Sequence, residues 1–233
     1  MNPTATDIKV LSTHAVFEVL GALGPQFERA SGHRLSCSYD PANAIKRRID
    51  GGETFDVAVV TRPVIDGLKK QGKILAGTCV DLGRSGLGVS VRKGAHKPAI
   101  GTVEDFRRAL LGAKSVVQSA EGTSGQYFVT LLERLGIAGD MRGKIRLGQS
   151  GRVAELVAGG EAELAVQQVS ELLPVTGADY VGPFPPELQL YTVFSAGVAA
   201  ACENRAAAQA FVDALAAPPA AALFSAKGLE PPR

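Results

Sequence analysis

Lys114–Gly136 reads KSVVQSAEGTSGQYFVTLLERLG, a short apolar strand that passes through a turn of small and hydroxyl-bearing residues directly into a helix. The spacing predicts that helix over Gln126 to Leu135. Phe128, Leu131, Leu132 and Leu135 fall on one face at a period of 3.6 residues, and Gly136 supplies the C-terminal stop. One apolar face means that the helix packs, which leaves its start beside the end of the preceding strand. There the N–H groups of Thr123, Ser124 and Gly125 have no partner within the helix, the helix dipole favours negative charge, and the side-chain hydroxyls add donors. Such a turn is suited to an anion. A Thr or Ser before a helix is also an ordinary N-cap, so the rest of the chain has to decide between the two uses.

The same alternation of strand and helix extends in both directions. Upstream come IKVLS, a helix from about Ala15 to Ser31, HRLSCSY, a helix from about Ala42 to Gly51, FDVAVV, and a helix from Val64 to Gly72. This is a βαβ rhythm and predicts a mostly parallel sheet. DLGRSGLGVSVRKG then reads as one long extended strand with no helix pattern of its own, a crossover into a second series. That series holds a helix at Val103 to Leu111, strand KSVVQ, the helix already described, strand KIRLG, a helix at Val153 to Ala158, and strand AELAVQQ. Pro183, Pro185 and Pro186 interrupt regular structure, LQLYTVFSAGVAAA is extended again as a return crossover, and two terminal helices break at Pro218-Pro219. The expected fold class is α/β, with two Rossmann-like lobes joined by crossover strands. Residues 1–83 plus 192–233 form lobe 1, residues 84–191 form lobe 2, and a ligand cleft is expected between them.

A chain of 233 residues can bury a substantial core. Its net charge is only +2, and basic residues are scattered apart from pairs such as Arg47-Arg48 and Lys69-Lys70, which argues against a nucleic-acid partner. No run approaches the ~18 apolar residues of a membrane span. The N-terminus, MNPTATDIKV, has neither the charged nor the apolar region of a secretory signal. The expectation is a cytoplasmic protein as the sequence stands, or a periplasmic one if a leader has been removed. Cys37, Cys79 and Cys202 lack CxxC spacing and read as buried free thiols, while His14, His33 and His96 have no metal-ligand spacing. Neither a metal nor a cofactor is expected.

Three motifs fail on inspection. GLKKQGK (Gly67–Lys73) has Ile74 where a phosphate loop needs Ser or Thr, and it lies in a helix. GRSGLG (Gly83–Gly88) has its glycines in the wrong order for a dinucleotide site and precedes a strand. GTSGQ and GQSGR each lack the final glycine of a nucleophile elbow, and no His-Asp pair accompanies them.

In open α/β sheets, ligands gather at the carboxyl ends of strands. Those ends are Ser12-Thr13-His14, Tyr39 to Asn43, Thr61-Arg62, Ser119 to Ser124, Gln149 to Arg152, and Gln167-Gln168. Nearly every one is polar and small.

Four stretches in order, IKVLSTHAVFEVLGALGPQFERASGHRLSCSY, GGETFDVAVVTRP, RSGLGVSVRKG and VAELVAGGEAELAVQQVSELLPV, resemble the type II periplasmic binding proteins. Over nearly the whole chain the match is to the molybdate-binding-like branch of ABC-transporter solute-binding proteins. The resemblance implies two lobes closing on a small anionic ligand, with an ABC permease as partner if the chain is exported. It implies ligand contacts at Ser12, Thr13, His14, Asn43, Thr61, Arg62, Arg84, Ser85, Ser119, Gly122, Thr123, Ser124, Arg152 and Gln167. Members that bind molybdate surround it with Ser or Thr hydroxyls and a Tyr, and Ala15, Ala42 and Gln167 align with those places. Arg62, Arg84 and Arg152 offer guanidinium forks, which suit planar carboxylates better than a compact oxyanion. The expected ligand is therefore a di- or tricarboxylate. For each Arg the alternative is a solvated charge or a salt bridge. The same fold hosts aconitate-isomerase-like enzymes, so the second expectation is a cofactor-independent isomerase working by proton transfer. His14 and Glu121 would then be base and acid, with Tyr39 as a donor. Otherwise His14 is a polar wall residue, and Glu121 merely favours a helix N-terminus.

Overall fold

A computed structural model describes residues 5–232. In chain order its principal elements are β1 (Asp7–Ser12), α1 (Phe17–Ser31), β2 (Arg34–Tyr39), α2 (Ala42–Asp50), β3 (Val57–Thr61), α3 (Arg62–Lys70), β4 (Val80–Ser85) and β5 (Leu87–Arg92). These are followed by α4 (Val103–Gly112), β6 (Val116–Ser119), α5 (Thr123–Arg134), α6 (Ala138–Met141), β7 (Ile145–Gly148), α7 (Val153–Ala158), β8 (Leu164–Gln168) and α8 (Val169–Leu172). The chain ends with β9 (Ala178–Pro183), β10 (Thr192–Val198), α9 (Arg205–Ala216) and α10 (Pro218–Ala226). The chain divides into two compact units: unit 1 runs up to Arg84 and resumes at Thr192, and unit 2 is Ser85–Tyr191. The architecture is α/β with two five-stranded sheets.

The sheet of unit 1 has the order β2-β1-β3-β10-β4. β2, β1 and β3 run parallel, and β10 joins β3 antiparallel. All five residues of β3 are buried, the continuous apolar run of a strand covered on both faces. The sheet of unit 2 repeats the plan as β7-β6-β8-β5-β9, with β7, β6 and β8 parallel and β5 antiparallel to β8 and to β9. Alternation along its strands makes two cores. Val116, Leu164 and Val166 face Phe106, Phe128 and Phe184, whereas Val117 and Ala165 face Val153 and Val157 of α7.

Several expectations change. The sheets are mixed rather than mostly parallel, because β10 and β5 enter antiparallel. DLGRSGLGVSVRKG is not one strand but two, β4 and β5, which belong to different sheets. The break is at Gly86, where a Cβ would come within 3.1 Å of the Gln189 side chain and 3.2 Å of Tyr191. The proline-rich stretch does not abolish structure before it, since β9 ends on Pro183 as an edge strand, a position where the missing N–H costs little. α5 begins at Thr123, three residues earlier than its apolar face shows. The break at Pro218 is as expected, with both prolines in the first turn of α10, where no helical N–H is needed.

Candidate functional site

In unit 1 the carboxyl ends of β2, β1 and β3 reach one edge. Ser12 is in register with Tyr39 on one side and Val59 on the other. Thr13 N–H donates to Val59 O (3.0 Å) and Asp40 N–H to Ser12 O (3.1 Å), so backbone bonds hold the turns side by side. His14 opens a 3-10 turn, His14–Val16, that leads into α1. Its ring lies 6.1 Å from that of Tyr39, which packs edge-on against Phe17 at 4.8 Å. Thr13 Oγ1 and His14 Nδ1 are buried without a hydrogen-bond partner. Burial lowers the His14 pKa below its ordinary 6.5, and the attraction of Asp40 only partly opposes this, so the imidazole is neutral at pH 7. Burial and the neighbouring Cys37 thiol raise the Tyr39 pKa, which keeps its hydroxyl protonated. Ser12 is fully buried and its hydroxyl donates to Thr13 O (3.2 Å). Thr61, also buried, precedes α3. Asn43 is exposed in the first turn of α2.

In unit 2 the ends of β7, β6 and β8 are similarly aligned, with Ser119 opposite Gly148 and Gln118 opposite Val166. Ala120 N–H donates to Gly148 O (3.0 Å), which ties the turn after β6 to the turn after β7. The turn SAEGTSG folds back tightly over its own strand. A Cβ on Gly125 would lie 1.9 Å from Ser119 O, and one on Gly122 would lie 2.8 Å from Ser119 Oγ. Only glycine allows the start of α5 to sit this close. Gly122 is the N-cap, and its carbonyl accepts the first helical bond from Gln126 N–H (3.1 Å). No side chain caps the helix, so the N–H groups of Thr123, Ser124 and Gly125 keep the orphan character of a first turn. Ser119 Oγ is committed within the turn, accepting Gly122 N–H at 3.0 Å. Ser124 is buried, whereas Glu121 and Thr123 are exposed. Gln167 is 0 % exposed, and neither of its amide atoms completes a hydrogen bond. Ser85 is buried and its hydroxyl accepts Ser170 N–H at 3.3 Å.

A family model described as bacterial extracellular solute-binding protein matches residues 8–230. The chain belongs to this solute-binding family. It is similar to the periplasmic molybdate-binding protein of Azotobacter vinelandii, with a TM-score of 0.82 at 21% identity over 97% of this chain and 100% of that one. It is also similar to a sulfate-binding protein of Mycobacterium tuberculosis H37Rv, with a TM-score of 0.78 at 18% identity over 97% of this chain and 87% of that one. At these identities the likeness establishes the type II periplasmic binding fold. In sequence, the chain is 32% identical over 232 residues to an aconitate isomerase of a Pseudomonas species, covering 97% of this chain and 88% of that protein.

Within this solute-binding fold the three arginines expected as forks all carry intramolecular partners. Arg62, the first residue of α3, pairs through Nη2 with Asp81 Oδ2, while Asp81 Oδ1 accepts the Ser195 hydroxyl at 2.5 Å. Arg84 bonds Glu230 Oε2 from Nη2 (2.7 Å) and Nε (3.2 Å), tying β4 to the C-terminal segment. Arg152 pairs with Glu155 three residues on, at 2.8 Å on an exposed face. Sequence reading missed these partners because Asp81, Ser195 and Glu230 lie far away in the chain. It also passed over Glu171, a carboxyl on α8 beside Gln167 and Gly151. Asp and Glu are common at such positions, and only enclosure sets this one apart. Among the described residues no group of three or more His, Cys, Asp or Glu could hold a metal ion, and no single helix is long and apolar enough to cross a membrane.

Proposed function

We propose that this solute-binding protein recognises a small organic polycarboxylate, a di- or tricarboxylate, through the polar strand ends described in each unit. The observation that carries this reading is where the unpartnered buried polar atoms lie. Thr13 Oγ1, His14 Nδ1, both amide atoms of Gln167 and Ser170 Oγ all belong to carboxyl ends of strands or the residues just after them. Buried polar groups ordinarily have partners, and a ligand bearing several oxygens would supply them. In unit 2 the uncapped start of α5 adds backbone N–H donors for a carboxylate. Similarity to an aconitate isomerase over nearly the full chain favours carboxylates over an inorganic oxyanion.

The same similarity favours a second reading, isomerisation of a polycarboxylate by a 1,3-proton shift. A base removes a proton from the carbon next to a carboxylate, the double bond moves, and an acid returns a proton at the far carbon. Atoms and charge balance without a cofactor. His14 is neutral at pH 7 and suits the base, Tyr39 stays protonated and suits a donor, and exposed Glu121 in the turn before α5 is an alternative acid. The test is proton NMR in deuterated water with succinate, citrate and trans-aconitate. Deuterium incorporation or isomer interconversion, lost in His14→Ala or Glu121→Ala, supports the enzyme. Saturable binding without exchange leaves the binding function alone, and failure of all three acids to bind refutes the polycarboxylate reading.

A further inference from the structure

Glu171 lies in α8, one residue after Ser170 and four after Gln167, in the connection that leaves β8. Its stem keeps some exposure while its carboxyl end is enclosed. The carboxyl accepts the Gly151 N–H from the turn between β7 and α7, and it faces the Gln167 amide without completing a well-formed bond to it. Gln167 is wholly buried and Ser170 nearly so, and the Ser170 hydroxyl also lacks a partner. Such a cluster demands either a further partner or an uncharged state.

Nothing on the neighbouring elements neutralises a negative charge there. α8 packs on β5, β8, α7 and β9. β8 carries no titratable group, and Arg152 and Glu155 pair with each other at the start of α7. β9 contributes Asp179 and Tyr180, and β5 contributes Arg92 at its far end. Only enclosure, Gln167 and Gly151 act on the carboxyl. Enclosure dominates and pushes its pKa up to about 8, so the group is a neutral acid at pH 7.

We propose that Glu171 is a positioning residue for anion recognition in unit 2: as a neutral acid it holds the Gly151 turn and the Gln167 amide in an uncharged, donor-rich arrangement, and its ionisation shuts that surface to anions. An ionised Glu171 would draw both neighbouring N–H donors to itself and place a like charge beside the ligand's carboxylate. This inference rests on the polycarboxylate reading and adds its regulation.

The test uses the full chain and the isosteric variant Glu171→Gln, which keeps the side chain but cannot ionise. In the ligand-free protein, the Gly151 amide resonance is followed from about pH 6 to pH 9.5 in both forms. Affinity for citrate and trans-aconitate is measured calorimetrically over the same range. The wild type should show a Gly151 transition near pH 8 and lose roughly tenfold or more in affinity across it. The variant should show neither, while matching the wild type at pH 7 within about twofold. Glu171→Ala should bind more weakly at every pH, which separates loss of the holding contact from loss of the proton. An alkaline loss of affinity that persists in Glu171→Gln overturns the proposal, as does a Gly151 amide with no transition in the wild type. If neither acid binds the wild type, the polycarboxylate reading falls, and the Gly151 transition alone then decides whether Glu171 governs the turn.

Discussion

Unit 1 and unit 2 share a plan, a mixed five-stranded sheet with three parallel strands ending in polar turns, yet they offer different chemistry at those ends. Unit 1 presents side chains. Thr13, His14 and Tyr39 stand at the ends of β1 and β2, and the turn after β1 winds at once into a 3-10 helix. Unit 2 presents backbone, because Gly122 and Gly125 let the start of α5 fold down onto Ser119. Behind it stands an uncharged pair, Glu171 and Gln167. In both units the cations near these ends are engaged internally: Arg48 with Asp40 and Glu53, Arg62 with Asp81, Arg152 with Glu155. The difference teaches that the two units can contribute differently to recognition of one anion, unit 1 through titratable and hydroxyl groups and unit 2 through fixed backbone donors, without a free guanidinium in either.

The sharpest way to break this comparison is Gly125→Ala. The added Cβ would meet a backbone oxygen at 1.9 Å, with backbone on both sides and no side chain able to yield. Thermal or urea unfolding should show a loss of about 3 kcal/mol or more, and a loss under about 1 kcal/mol would mean that the turn is not built on close approach. Next comes Glu171→Gln at pH 7. The folded pKa of about 8 lies above the ordinary 4.5, so the folded state retains a proton that the unfolded state gives up. Stability therefore falls as pH rises from 4.5 to 8, and Gln removes this slope. The variant should gain up to about 3 kcal/mol at pH 7 and nothing below pH 4. Equal gains at both pH values would sink the assignment of a buried proton.

Ser119→Ala removes the acceptor for Gly122 N–H and should cost about 1 kcal/mol, with weaker carboxylate affinity as the backbone donors lose their anchor. In unit 1 the corresponding probe is His14→Gln. Because the folded His14 pKa lies below the unfolded one, wild-type stability declines as pH falls through 6.5, and Gln should abolish that acid slope. Partial exposure limits the effect to under about 1 kcal/mol, read from melting temperatures at pH 7.5 and 5.5. The smallest effect belongs to Arg152→Ala, whose exposed pair with Glu155 should be worth no more than about 0.5 kcal/mol. A tenfold loss of affinity in that variant would restore Arg152 as a ligand group and undo the contrast between fixed backbone and side-chain donors.

Most of the fold was legible because it rests on local regularities. Phe128, Leu131 and Leu132 do pack on one face of α5, and IKVLS, FDVAVV and KSVVQ are strands at the positions their apolar runs mark. The prolines at 218 and 219 start a helix as their missing N–H groups require. The strand ends of the candidate site were equally visible, since polar residues following apolar runs need only counting along the chain. What escaped was whatever depends on residues distant in sequence. The direction of β10 and β5, the break at Gly86, the partners of Arg62 and Arg84, and the enclosure of Glu171 all arise from segments that meet only after folding.

The sequence by itself determined two successive βα series, the polar character of their strand ends, and the glycine-rich start of α5, because period, apolarity and backbone freedom are properties of neighbouring residues. Only the tertiary structure decided which of those polar groups stay neutral, orphaned or paired. Burial and ion pairing depend on what the rest of the chain brings to each side chain. That is why three arginines that look like anion forks in the sequence are held by carboxylates, and why an unremarked glutamate becomes a buried acid.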